Sequence, residues 1–211
     1  MLFAVLTAGY AQAQFHAGMK LGLNSATMYG DHVPVLFDDA KIEGRIGFLG
    51  GLVGELELGR HFAVQPGVLF AQQGYMSVAK DGDNEREADY LLNYLHVTLN
   101  MLAKLNIGKR GNIFFQIGPY AGYALSGKVK LEAREDGKTV ETQKGSVYFK
   151  GHDGDTMKRF DYGIGTGLGF QAGGVQFDME LRWGLQSLSN TAGIDMKNGA
   201  FAINLSYFLG K

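Results

Sequence analysis

The chain has 211 residues, with 20 Lys and Arg against 21 Asp and Glu, so it is long enough for one domain and too evenly charged for a basic nucleic-acid-binding surface. It lacks cysteine, which excludes structural disulfides, zinc-thiolate sites and thiol nucleophiles. Its 32 glycines stand beside only 3 prolines, a ratio unlike that of a low-complexity linker, and the glycines therefore need a structural reason.

In chain order, the first element is an apolar run over residues 1–13 that closes on Ala11, Gln12 and Ala13, the small-x-small pattern a signal peptidase accepts. It predicts a signal peptide over 1–13, with its start left open because no Lys or Arg leads the run, and a mature domain over 14–211. No later stretch is apolar for long enough to make a transmembrane helix. From residue 15 the pattern has period two, the signature of strands. Over 15–25, Phe15, Ala17, Met19, Leu21 and Leu23 alternate with His16, Gly18, Lys20, Gly22 and Asn24. Segment 45–58 carries Ile46, Phe48, Leu52, Leu56 and Leu58 on one parity, and 62–74 carries Phe62, Val64, Val68 and Phe70. Segment 90–107 sets Leu95, Val97, Leu99 and Met101 against His96, Thr98, Asn100 and Lys104, and 113–126 carries Ile113, Phe115, Ile117 and Tyr123. Segments 160–170, 175–185 and 201–209 complete eight predicted strands.

The connections alternate in length. Residues 59–61, 108–112 and 172–174 read as tight turns rich in residues that tolerate positive φ, whereas 26–44, 75–89, 127–158 and 188–198 read as long polar loops. Short turns thus gather at one end and long loops at the other. This predicts an all-β fold: an eight-stranded antiparallel up-and-down transmembrane β-barrel with short periplasmic turns and long extracellular loops, in the bacterial outer membrane, with both termini periplasmic.

Segment 160–170 decides which parity faces lipid. Phe160, Tyr162, Ile164, Leu168 and Phe170 oppose Asp161, Gly163, Gly165, Gly167 and Gly169, and the interior of a barrel this narrow takes glycine more readily than bulk. In 175–185, Val175, Phe177, Met179, Leu181 and Trp183 oppose Gln176, Asp178, Glu180 and Arg182, so a one-residue slip would put three charges into lipid. The inward polar set is then Lys20, Glu55, Glu57, Gln65, Lys104, Asp161, Asp178, Glu180 and Arg182. Buried charges must pair, so these residues are expected to form a salt-bridge and hydrogen-bond plug. Counting back along the connections places Lys20 near Glu55, with Gln65 on the other side, and Arg182 near Asn204. Outward aromatics near the strand ends predict two interfacial girdles. Phe15, Phe62, Phe115, Phe170, Phe177 and Tyr207 lie toward the turns, and Phe70, Tyr123 and Trp183 lie toward the loops.

The segments LGLNSA (21–26), YLHVTLNMLAKL (94–105), GPYAGYALSGK (118–128) and FDYGIGTGLGF (160–170) resemble the PorT-like outer-membrane β-barrel proteins. The resemblance spans nearly the whole mature chain and implies the same barrel. It departs at Thr98 and His96, where the family pattern has a proline and a carboxylate, and at the end, where Tyr207 and Phe208 are followed by three more residues. The family name comes from a secretion-related member, and that role is not carried over.

Chemical motifs are weak. Glu55 and Glu57 share a face because they are two apart on one strand, which falls short of an acid/base couple. Of the five histidines only His96 lies deep in a strand, where a satisfied interior histidine is expected. The runs 81–85 and 153–155 have carboxylates but no EF-hand spacing and read as solvated loop tips. GIGTGLG (163–169) sits in a strand and opens no helix, so it is no dinucleotide site. No cofactor, metal or catalytic residue is expected. The preferred function is a non-enzymatic structural or interaction barrel, expected as a monomer, which contacts outer-membrane lipid with its wall and an envelope or cell-surface protein with its loops. The alternatives are a membrane-embedded enzyme, a secretion- or assembly-associated component, and a soluble lipid-binding barrel.

Overall fold

The computed structural model describes residues 14–31, 40–81, 84–108, 111–135, 138–149, 157–191 and 193–211. The expected signal peptide and the 153–155 run lie outside the described residues. Among the described residues there are nine antiparallel strands: β1 (Gln14–Tyr29), β2 (Lys41–Glu57), β3 (Phe62–Asp81), β4 (Asn84–Ile107), β5 (Gly111–Glu135), β6 (Lys138–Ser146), β7 (Phe160–Ala172), β8 (Val175–Gly184) and β9 (Lys197–Phe208). β1 pairs with both β2 and β9, and β4 pairs with β5, so eight strands close into a ring in the order β1-β2-β3-β4-β5-β7-β8-β9. β6 stands outside the ring and, among the described residues, is paired only to β5.

Period-two chemistry selects this closure. Met19, Leu21, Leu23, Leu52, Val97, Met101, Leu168 and Leu205 point outward and are exposed, while Lys20, Asn24, Glu55, His96, Asp178 and Arg182 point inward and are buried. A soluble barrel has the opposite arrangement, and an apolar surface that runs right round a protein belongs to one dissolved in lipid. The short turns use glycine where the chain reverses: φ is +105° at Gly59 and +55° at Gly173, in the left-handed region that side chains disfavour.

Two stretches expected as loops continue the sheet. β3 and β4 stay paired from Phe62 with Ala103 out to Asp81 with Asn84, and β5 runs on to Glu135 before turning back as β6. Residues 75–81, 84–89, 127–135 and 138–146 are therefore a projecting sheet. Alternation persists there, with Val129, Leu131 and Ala133 against Lys128, Lys130 and Glu132, but the high share of charged residues in 75–89 and 127–146 reads as loop. Backbone pairing on strands already in place extends the ladder, and cross-strand ion pairs support it, with Lys80 to Glu85 at 3.2 Å and Arg134 to Glu85 at 3.5 Å. Where the sheet leaves the barrel, Leu125 is an extra residue on β5 between Ala124, paired with Tyr94, and Ser126, paired with Asn93. This bulge reverses the parity, so that Gly127 turns inward and Lys128 outward.

Candidate functional site

The barrel interior is assembled by pairing inward bulk with glycine on the adjacent strand. A Cβ on Gly169 would collide with the Phe114 ring, and one on Gly163 would lie 2.7 Å from the Tyr120 ring. A Cβ on Gly18 would lie 2.8 Å from the Phe208 ring. These contacts account for inward-facing glycines as space for large side chains rather than as turn residues.

The polar groups fall into three clusters along the barrel. Nearest the turns, Lys104 lies 2.6 Å from Glu55 and 3.5 Å from Glu57, Gln65 donates to Glu55 at 2.6 Å and to Gln176 at 2.7 Å, and Lys211 also reaches Glu55 and Glu57. In the middle, Asp178 accepts from Asn204 at 2.7 Å and Gln116 at 3.3 Å, and pairs with Lys20 at 3.2 Å. Above these, Arg182 binds Glu180 through two nitrogens, at 2.8 and 3.2 Å, and lies 3.3 Å from His96 Nδ1. His96 stacks on Tyr120, whose hydroxyl donates to Asp161 at 3.3 Å, and Asn198 donates to the same carboxylate at 2.9 Å.

Lys20, Glu55, Gln65, Lys104, Asp161, Asp178, Glu180 and Arg182 are all buried inside, and Glu57 lies at the turn end with its side chain part exposed. Two pairings differ from expectation. Lys20 faces Gly51 across the ladder and reaches Asp178, while Glu55 faces His16. Arg182 faces Ala200, and Asn204 faces Asp178. In both hairpins the actual register lies four residues from the one expected, an even shift that keeps each side chain on its face and changes only its partner. His96 is half satisfied: Nδ1 meets Arg182, which can only donate, so the ring proton sits on Nε2, where no described group accepts it.

Sequence reasoning missed the apolar share of the interior. Leu49, Val53, Leu69 and Ala71 on β2 and β3 pack inside with Phe208, and Phe114 packs with Leu102 and Ala63. The signal was available in the glycines on neighbouring strands. It also missed the closed mouth: Phe149 and Met157 from the β6–β7 connection and Leu188 and Met196 from the β8–β9 connection fold over Met28, Tyr75, Leu92 and Tyr94 as an apolar cap. Backbone bonds hold the cap, from Lys158 N to Leu188 O and from Leu188 N to Met196 O, each 2.7 Å.

Phe15, Phe62, Phe115, Phe170, Phe177 and Tyr207 face outward on the turn side of the wall, and Tyr123 and Trp183 face outward toward the loops with Phe70 half-buried. Phe48 packs on Phe70 with ring centres 5.7 Å apart, and Arg159 lies over the Tyr123 and Phe149 rings at 6.0 and 5.1 Å. Among the described residues no three His, Asp or Glu side chains are grouped to share a metal ion.

Comparison with solved structures finds barrels of similar fold. Ail, the attachment invasion locus protein of Yersinia pestis, is 15% identical, with 93% of this chain and 99% of that chain covered and a TM-score of 0.45. Neisserial surface protein A is 10% identical over 90% and 96% of the two chains, with a TM-score of 0.47. OprG of Pseudomonas aeruginosa is 12% identical over 93% and 95%, with a TM-score of 0.44. No curated protein matches the chain. Residues 10–207 match the family of the outer membrane protein beta-barrel domain, and with its lipid-facing wall closed on eight strands the chain belongs to that family of the bacterial outer membrane.

Proposed function

We propose that this chain is a monomeric, non-enzymatic envelope barrel of the PorT-like group, exported by the 1–13 signal peptide, with a plugged interior, girdles of outward aromatics at both interfaces, periplasmic termini and an external sheet that docks an envelope or cell-surface protein. The carrying observation is β6, which among the described residues pairs on one side only. An unpaired strand edge offers backbone donors and acceptors to an extended segment of a partner, and side chains of alternate residues then set specificity. Glu141, Lys138 and Lys144 make that edge charged and keep it from pairing indiscriminately.

A photoreactive residue at Val140 on intact cells tests the reading. The expected result is one discrete cross-linked protein, lost when Thr142→Pro interrupts the edge, with no such adduct from the lipid-facing position Val68. A smear, or the same adduct with the proline present, counts against it. The plug is tested separately in planar bilayers, where a steady nanosiemens-scale opening would refute a filled interior.

A further inference from the structure

Three of the four buried carboxylates inside the barrel are each balanced by a cation: Glu55 by Lys104, Asp178 by Lys20 and Glu180 by Arg182. Asp161 is different. It is 0% exposed, and its side-chain hydrogen-bond partners, Tyr120 and Asn198, are neutral, as is the Tyr162 backbone N–H beside it. Among the described residues no Lys or Arg forms an ion pair with it, so one buried negative charge is left without a counter-charge, an arrangement that costs several kcal/mol if nothing compensates it.

Oxygen atoms without partners gather at the same place. Both known bonds to the carboxylate use Oδ2, and Oδ1 has none. Asn198 turns its amide nitrogen to Asp161, which leaves its own Oδ1 unpartnered. The Tyr94 hydroxyl lies beside the Asn198 amide without the geometry of a hydrogen bond. All three side chains are buried. Gly184 closes against them: a Cβ there would lie 2.9 Å from the Asn198 carbonyl oxygen, 3.1 Å from the Asn198 nitrogen and 3.3 Å from Asp161 Oδ1, so the glycine leaves a gap too tight for a methyl group but not for a small bare ion. The Tyr29 hydroxyl holds this backbone in place by donating to the Gly184 carbonyl at 2.6 Å. The apolar cap lies on the loop side, with Tyr94 and Met196 among its members.

We propose that Asp161, Asn198, Tyr94 and the backbone beside Gly184 form a buried binding site for a monovalent metal cation such as sodium or potassium. A hard cation takes oxygen ligands from carboxylates, amide carbonyls and backbone carbonyls, and the donor set here has all three. A single carboxylate balances a single positive charge, whereas a divalent ion would leave an excess. The cation locks β7, through Asp161, to β9, through Asn198, and so ties the wall together just under the cap.

The test is the unfolding midpoint of the full-length folded protein in detergent, read by heat-modifiable migration in sodium, potassium or choline chloride at equal ionic strength. The midpoint rises with sodium or potassium relative to choline, by about 3–6 °C per tenfold increase above the dissociation constant. In Asp161→Asn, which keeps the shape and removes the charge, it is the same in all three salts. Equal wild-type midpoints in the three salts would overturn the proposal in favour of a protonated or hydrated carboxyl. Crystals grown with thallium(I) give a second reading that does not need the variant to fold. An anomalous peak beside Asp161 Oδ1 is expected, and its absence overturns the site whatever the salts do.

Discussion

The wall of the barrel and the sheet that projects from it are built from the same strands, yet they obey opposite rules. Along β4, Leu95, Val97, Leu99 and Met101 face out and His96, Thr98, Asn100 and Lys104 face in. A one-residue slip would exchange the two sets, so lipid outside and ion pairs inside hold the register from both faces. Further along the same strand, Glu85 and Glu87 meet Arg134 at 3.5 and 3.7 Å in a sheet whose outer strand β6 is exposed along its whole length. There the backbone ladder and partly exposed ion pairs, each a small contribution, set the pairing beyond the stacked Tyr75 and Tyr90 rings at its base. The difference teaches where the chain can change cheaply: the projecting sheet can vary its surface without disturbing the barrel, which is what a docking surface requires.

The largest expected effect tests the inner face. Arg182→Ala strands Glu180 inside and should lower unfolding free energy by about 3–5 kcal/mol in urea titrations of lipid-refolded protein, while replacing both partners by apolar residues of similar volume should recover most of that loss. Next comes the outer face. Leu181 and Val140 are 44% and 56% exposed, but one faces lipid and the other water. Leu181→Arg should cost about 2–4 kcal/mol and Val140→Arg less than about 0.5; equal costs would mean that the two regions do not differ in solvent. Gly169→Ala comes third, at about 1–3 kcal/mol, because the added methyl overpacks against Phe114.

The smallest effect concerns acid. The hydrogen bond from Lys130, supported by Arg134, holds the Glu132 carboxyl below its usual range. Because its folded-state pKa is depressed, the stabilisation is present above the unfolded-state value and is lost as pH falls through the folded one. Amide exchange over 128–146 should therefore speed up in acid while exchange over 95–105 stays slow. Simultaneous acceleration of both would show that the sheet and the barrel open as one unit.

Much of the fold was legible because alternation along a strand is a local property. All eight wall strands, the tight turns at Gly59 and Gly173, and the inward side of Asp178, Glu180 and Arg182 follow from period two and from which parity carries bulk. Less of the candidate site was legible. The cap needs Phe149, Met157, Leu188 and Met196 to converge from two connections, and nothing in either connection alone announces it. β6 was hidden because its polar alternation, with Lys138, Glu141 and Lys144 on an otherwise small-residue strand, reads as a loop.

By itself the sequence determined that the chain makes strands, how many cross the wall and which face of each meets lipid, since each depends on neighbours one or two residues away. The tertiary structure decided which charge meets which. Lys20 reaches Asp178 rather than Glu55, and Asp161 is left with neutral partners, because register and ring closure bring together side chains from strands far apart in sequence. A four-residue shift in a hairpin leaves every face unchanged and alters every partner.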